Sequence, residues 1–485
     1  MQIAIDILGD ISLANVDFDR NCLETIAEKI NDAIGQSDYR IANMESPFCF
    51  GSSAVRIKKS GPNLKMQEGS VAFFEKLQID CYTLANNHLG DYGEKGIIDT
   101  IKVLENLNKD YVGSSDEYER THEAIRKIIK GIKLSFISVC ENEFGIAEDG
   151  KMGAAGYDRE SIRRILDKES SWSDFAIVIF HGGTENYPYP TPEQKYRYRD
   201  LIDMGADAVI GMHSHCPQGY EIYHNAPIIY SVGNFFFPRD CETFFEGWRY
   251  GYVARLKLQK DSLTEFEIVP YKFDTCGHDF SLIDKKDFLP YLEVLSDVIQ
   301  DDEHLKNLFK GWTVVSGKKY FDNLCKQIIT AQDEKRNCLA KNLFSCEAHR
   351  ELLKTYLTIL YESTEKAYLP YIENIKRDMR ISDKIGEKRI CRTDNTDTVI
   401  WGIGKKAENL FYKLKSQKRQ IVFVDKDILK QGLKFLDEEI ISPEDAIRQF
   451  GKACFYICTS PESRDGIVSV LKENGIRNGQ IFFEE

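Results

Sequence analysis

Two histidines one residue apart, His213 and His215, follow the apolar run Ala208-Val209-Ile210. On an extended strand such a pair shares one face. In a loop at the strand end, both imidazoles can turn toward one point, and neutral imidazole is a common metal ligand. Upstream, the same form recurs: an apolar strand, then residues of metal-ligand type. Asp10 stands after the strand Gln2–Leu8, where open α/β sheets place their ligands. Glu45 follows Tyr39–Met44, Asn87 and His88 follow Cys81–Ala85, and His181 follows Phe175–Phe180. Each alone has a bland reading, since Asp caps helices, Asn-Asn marks turns and Glu pairs with a nearby Lys. Five strand ends carrying such residues make coincidence the weaker account.

Carboxylates, an amide oxygen and imidazoles are hard to borderline ligands. They suit two divalent ions such as Mn²⁺, Zn²⁺ or Fe²⁺ better than a thiolate site would. A two-metal site activates water at neutral pH and clamps a phosphoryl or carbonyl oxygen, so the reaction class expected is metal-assisted hydrolysis. Beside Asn87, His88 is placed to donate a proton. His181-Gly182-Gly183 leads to Glu185 and an aromatic, proline-containing loop, and these glycines let backbone approach a ligand closely. Arg56, Lys58 and Lys59 could steer an anionic substrate, with a solvated basic loop as the default.

The elements that must hold these residues alternate. Helices are expected over Asn21–Ile34, Val71–Leu77, Glu94–Leu107 and Pro192–Met204, with further strands at Leu134–Val139, Ile228–Tyr230 and Tyr250–Leu258. Such alternation indicates a layered α/β domain. From Lys285 to Asp383 the pattern turns helical and charged. Phe288–Ile299, Lys318–Ile329 and Glu347–Asp378 have helical apolar spacing, a packing stripe by default. This region could cover the site or mediate dimerisation. The polar stretch 380–397 reads as a linker. Beyond it, Thr398–Trp401 enters Gly402-Ile403-Gly404-Lys405-Lys406-Ala407. The strand Ile421–Val424 follows and ends at Asp425, a G-x-G-x-x-A dinucleotide-type turn with an acid about twenty residues on. A nucleotide or nucleotide-sugar at Gly402, Gly404 and Asp425 and a degenerate fold used for docking are both open. The expected domains are 1–270, 271–390 and 391–485.

Length suggests roughly three domains. A 42% hydrophobic, 29% charged composition is that of a globular protein, and a net charge of −13 argues against a nucleic-acid partner. No apolar run approaches the ~20 residues of a membrane helix, and Met1–Gly9 carries no basic leader. The thirteen cysteines include no C-x-x-C pair and read as reduced thiols of a cytoplasmic protein.

The ordered motifs Gly9-Asp10, Asn43-Met44-Glu45-Ser46-Pro47, Ala85-Asn86-Asn87-His88 with Asp91-Tyr92-Gly93, His181-Gly182-Gly183, Gly205-Ala206-Asp207 through His215, and Tyr230-Ser231-Val232-Gly233-Asn234-Phe235 resemble the bacterial capsule-synthesis CapA family. That family lies within the calcineurin-like metallophosphoesterase superfamily, and the resemblance covers about residues 1–260. It implies a four-layer αββα sandwich with a dinuclear site. Asp10 and His215 would hold one ion, Asn87, His181 and His213 the other, and Glu45 would bridge them. His88 would be the general acid, and Asn234 would line the pocket. Two departures stand out. Ser12 replaces a ligand of the first motif, and Gly182 replaces an aromatic residue, which would widen the pocket. The C-terminal unit resembles Rossmann-like domains of surface-glycan enzymes.

The expected function is a metal-dependent hydrolase in capsule or extracellular-polymer synthesis, acting on a phosphoester or an anionic polymer. The alternatives are hydrolysis of poly-γ-glutamate amide bonds and a non-catalytic assembly factor. An NAD-dependent oxidoreductase rests only on the glycine turn.

Overall fold

The structure is a computed structural model of the 485-residue chain. It describes every residue except 1, 15–17, 52–54, 240–244, 261, 275, 330–333, 386–397, 416–419, 452, 477–479 and 484–485. Most of the expected linker, residues 386–397, therefore lies outside the described residues. The chain divides into two compact units: Met1–Pro238 with Gly247–Ile375, and Arg239–Glu246 with Lys376–Glu485.

In the first unit the strands are β1 (Gln2–Ile11), β2 (Tyr39–Met44), β3 (Cys81–Thr83), β4 (Asp110–Val112), β5 (Ile125–Ile129), β6 (Ile132–Cys140), β7 (Phe175–His181), β8 (Ala208–Met212), β9 (Tyr220–Tyr223), β10 (Ala226–Ile229), β11 (Asn234–Phe236), β12 (Tyr250–Gln259), β13 (Ser262–Phe273) and β14 (Phe280–Leu282). They form two sheets. One runs β14-β13-β12-β1-β2-β3-β4 with β11 also paired to β1, and the other runs β5-β6-β7-β8-β10-β9. Leu8, Ala42, Ile137, Val178 and Val209, drawn from both sheets, belong to one buried cluster. The Tyr39 ring of β2 stacks on the Phe136 ring of β6, from one sheet to the other, at 5.6 Å. Every residue of β2 and of β7 is buried. That is why β7 reads as a nearly continuous apolar run rather than an alternating one: both of its faces are covered.

Local chemistry sets the flanking helices. Asp19 caps Arg20–Ile34 by accepting from the Cys22 amide, and Leu23, Ile26, Ala27, Ile30 and Ile34 form its buried face. Thr191 and Gln194 make a capping box, with proline in the first turn, at the start of Pro192–Asp203. The middle region is helical, as its spacing predicts, over Lys285–Gln300, Asp302–Ile329, Glu334–Ser345, Glu347–Glu362 and Glu365–Met379. Up to Ile375 it belongs to the first unit.

The second unit carries β15 (Thr398–Trp401), β16 (Ile421–Val424), β17 (Lys434–Phe435), β18 (Glu438–Ile441), β19 (Cys454–Ile457) and β20 (Ile481–Phe483), in the order β17-β18-β16-β15-β19-β20. All neighbours pair in parallel except β17 with β18.

Candidate metal centre

Strand register brings the ligand-type residues to one edge. β1 and β2 align Asp10 with Asn43 and Ile11 with Met44, so Glu45 leaves β2 beside the end of β1. β11 aligns Asn234 with Asp10. That close pairing requires Gly9, because a Cβ there would lie 1.7 Å from the Gly233 carbonyl oxygen. In the second sheet Cys140, His181 and Met212 lie level across β6, β7 and β8. β1 runs through Asp10 to Ile11, three residues past the expected bound, so Asp10 lies within the strand rather than beyond it. His213 and His215 stand in the loop after β8 with φ of 89° and 55°. Positive φ is uncommon for residues with a side chain and clusters where a site demands it.

Asp10 Oδ1 accepts from Asn43 Nδ2 at 2.8 Å and lies 3.6 Å from His181 Nδ1. Its Oδ2 accepts from the His213 amide at 3.1 Å and lies 3.9 Å from His215 Nδ1. His181 Nε2 is 3.1 Å from Asn87 Oδ1 and 3.0 Å from His213 Nδ1. Glu45 Oε1 faces His181 Nε2 at 3.8 Å and His215 Nε2 at 3.6 Å. Two triads of ligand atoms result, Glu45/His181/His213 and Asp10/Glu45/His215, sharing Glu45. Asn234 Oδ1 sits 2.8 Å from His215 Nδ1, and its amide donates to the Trp248 carbonyl at 2.9 Å. Asn234 therefore orients His215 and is not among the residues lining the adjoining cavity.

Both carboxylate oxygens of Glu45 are buried without a hydrogen-bond donor. Burial, then Asp10 and Glu185, push this carboxyl well above its ordinary range. Burial also pushes His181 down to about 4 and lowers His215. These two imidazoles are thus neutral at pH 7, with lone pairs available as ligands. Burial alone would raise Asp10, but His181, His215 and Asn43 outweigh it and hold this carboxyl below its usual range. A buried carboxylate with no donor, faced by neutral imidazoles, is costly unless a cation balances it. The donor set fits divalent ions of the Mn, Zn or Fe kind.

A cavity of about 540 Å³ adjoins the cluster, lined in part by Asn87, His88, Glu185 and His213. His88 Nδ1 is 2.8 Å from Asp91 Oδ2 and 3.1 Å from Lys59 Nζ, and Lys59 pairs with Asp91. Burial and Lys59 lower the His88 pKa against the pull of Asp91. Lys59 is buried, unlike the exposed Arg56 and Lys58, so one cation of the supposedly solvated loop turns inward. Glu185 is held below its usual range by His215 and His213, against the effect of burial.

The cavity's remaining wall was not assigned from sequence. It includes Glu143 and Phe144 after β6, and Trp312, Tyr320, Asn342 and His349 from the helical region. The helical spacing of the latter gave packing faces but no hint of which turn meets the centre. Ser12 bonds the Ser46 hydroxyl and accepts from the Ala14 amide at 3.3 Å, so no ligand atom replaces the missing one there. Gly182 does not widen the cavity: a Cβ there would lie 2.5 Å from Glu141 Cγ, so the Glu141 side chain fills that space. In the second unit, Gly402 and Gly404 take φ of 104° and 147°. The Asp425 carboxylate accepts from the Asp427 amide at 2.9 Å and pairs with Lys430 at 3.1 Å.

Residues 5–239 match the family model described as "Bacterial capsule synthesis protein PGA_cap". The chain is 25% identical over 252 residues to "Capsule biosynthesis protein CapA" of Bacillus anthracis, covering 50% of this chain and 59% of that protein. It is 26% identical over 307 residues to "PGA biosynthesis protein CapA" of Bacillus subtilis (strain 168), covering 62% and 76%. A 5'-nucleotidase from Candida albicans SC5314 aligns with 63% of this chain and 55% of its own at 13% identity and a TM-score of 0.34, a likeness too low to define fold or chemistry. Residues 5–239 are thus similar to the bacterial capsule-synthesis family.

Proposed function

We propose that the first unit is a metal-dependent hydrolase of the phosphoesterase type, acting in the synthesis of a capsule or other extracellular polymer. The observation that carries this reading is Glu45, buried and without a donor, shared between two triads of ligand atoms. Asp10 and His215 would hold one divalent ion, Asn87, His181 and His213 a second, and Glu45 would serve both. Two such ions supply Lewis-acid polarisation of a phosphoryl or carbonyl oxygen and activation of water. The chain's own residues do the rest. The Asp10 carboxylate and the Asn43 amide fix the His181 ring, and Asn234 fixes His215. Asp91 accepts the Nδ1 proton of His88, which leaves Nε2 to pass a proton to the leaving group. The two sheets sharing one core support the four-layer sandwich.

The relatives named for capsule and PGA biosynthesis favour the polymer pathway and keep poly-γ-glutamate amide hydrolysis as the second reading. The Ser12–Ser46 contact, where a ligand is missing, favours the non-catalytic assembly factor. In the second unit, the central β15 with parallel neighbours on both sides supports a Rossmann-like reading. With Asp425 already engaged by Asp427 and Lys430, docking is favoured over nucleotide binding. Titration of the full chain with nucleotides and nucleotide-sugars tests this: binding heat lost in Gly404→Val would reinstate the nucleotide. Among the described residues no helix is long and apolar enough to cross a membrane, and eleven cysteines are free. Free thiols are the expected state in a reducing cytoplasm.

Metal content and turnover of a generic phosphomonoester and phosphodiester test the hydrolase. Bound metal with turnover supports the phosphoesterase. Metal without turnover favours the amide substrate. Neither metal nor turnover favours the assembly factor.

A further inference from the structure

A second group of ligand-type side chains stands in the far wall of the cavity. Glu143, Cys346 and His349 each offer one atom, and the three atoms lie within 4.8 Å of one another. Glu143 follows β6, whereas Cys346 and His349 belong to the helical region some two hundred residues later. Cys346 is the N-cap residue of Glu347–Glu362, and His349 lies in the first turn of that helix, so the C-x-x-H spacing turns both side chains to one side. His349 Nδ1 is 3.8 Å from Glu143 Oε1. Its other nitrogen, Nε2, is 3.5 Å from the Tyr320 hydroxyl. A ring held at one nitrogen by an oxygen and facing ligand atoms with the other is the usual setting of a metal-bound histidine.

A further observation points to the same spot. Asn342 is 3% exposed and lines the cavity, and its side-chain Oδ1 has no hydrogen-bond partner. Its amide lies against the same imidazole, Nδ2 being 3.1 Å from His349 Nδ1. Nδ2 faces the ring here, and turning the amide over would bring the unpartnered Oδ1 to that side as a fourth ligand. The Cys346 thiol faces Glu141 Oε2 at 3.6 Å. Arg197 pairs with Glu141, and Glu347 accepts from the Asn142 backbone and side chain.

We propose that Glu143, Cys346 and His349, with Asn342 as the fourth donor, form a separate mononuclear site for a borderline divalent cation of the zinc type. One sulfur, one nitrogen and oxygen donors are the mixture such ions take, four-coordinate. The site differs in kind from the Asp10–His215 centre, whose ligand atoms are all nitrogen and oxygen. It ties the helix Glu347–Glu362 to the edge of the second sheet, at the wall the first centre faces.

Cobalt substitution reads the site directly, because only a thiolate ligand gives a sulfur-to-cobalt charge-transfer band in the near ultraviolet. The full chain is stripped of metal and loaded with Co²⁺. The expected result is that band in the unmodified protein, its loss in Cys346→Ser, and a metal content lower by one equivalent in Cys346→Ser and in His349→Gln. Cobalt bound only by nitrogen and oxygen remains in both variants. The proposal is overturned if the unmodified chain binds cobalt without the band, or if the band survives in Cys346→Ser. Phosphoester turnover is recorded on the same samples, so failure of the first centre shows as absent turnover whatever the band does.

Discussion

His88 and Asp91 are joined through Nδ1 and Oδ2 at 2.8 Å, at the mouth of the buried metal-type cluster, with Lys59 Nζ 3.1 Å from the same ring nitrogen. The dyad fixes which nitrogen of His88 faces the cavity, and it lies outside both triads of ligand atoms. His88→Ala is expected to keep its metal and lose turnover by ~10²–10⁴-fold, the usual contribution of a positioned acid or base. Asp91→Asn is expected to lower kcat with little change in metal content. Metal analysis beside steady-state kinetics checks both, and normal turnover in His88→Ala removes the residue from the chemistry.

Glu45 makes a prediction of opposite sign with and without metal. In the metal-free protein its carboxyl is buried, without a donor, and already pushed up by burial and Asp10. Glu45→Gln should therefore leave the Tm in chelator unchanged or raised. In excess Mn²⁺ the unmodified protein should gain stability by binding, and the variant should gain less. Thermal melts in the two buffers decide it; a Tm drop of the same size in both would make Glu45 a purely structural residue.

Gly9 lets β11 lie against β1. A methyl group there meets the Gly233 carbonyl, and the register of Asp10 with Asn234 depends on the contact. Gly9→Ala should cost about 3 kcal/mol or more, at or beyond the upper end of overpacking penalties, and should weaken metal binding as well. Denaturant unfolding measures the first effect and metal titration the second.

Away from the site, Glu169 ties the helix Arg159–Ser170 to the second sheet. It accepts from Arg126 at 2.7 and 3.0 Å and from the Ser135 hydroxyl at 2.6 Å. Burial acts to raise its pKa, but Arg126 and Ser135 outweigh it and the folded value lies below the ordinary one. A depressed carboxyl contributes stability above its unfolded pKa, ~4.3, and loses it as pH falls through the folded value. Glu169→Gln should cost about 1.5–3 kcal/mol at pH 7. The difference should shrink in acid. A difference independent of pH between 7 and 3 would contradict the ionic account.

Much of the first unit was legible because its strands are buried on both faces and its ligand-type residues sit at their ends. The expected strand Tyr39–Met44 matches the observed bounds. β5 and the long hairpin strand β13 were not read. β5 alternates half-buried and exposed positions at a sheet edge, so its apolar signal is diluted by Arg126 and Lys127. The residues that turn toward the cavity from the helical region were out of reach for a different reason. Spacing finds the packed face of a helix, but Trp312, Asn342 and His349 are brought to Glu143 only by tertiary packing. Lys59 was hidden likewise, since nothing local separates it from the exposed Lys58 beside it.

The central claim is that the cluster sharing Glu45 binds divalent metal and uses it for hydrolysis. The most direct measurement compares the unmodified chain with His213→Ala for turnover of a generic phosphomonoester and phosphodiester, with and without added Mn²⁺. The account predicts turnover that requires metal in the unmodified protein and is lost, together with bound metal, in the variant. Turnover that survives both metal removal and His213→Ala would contradict it.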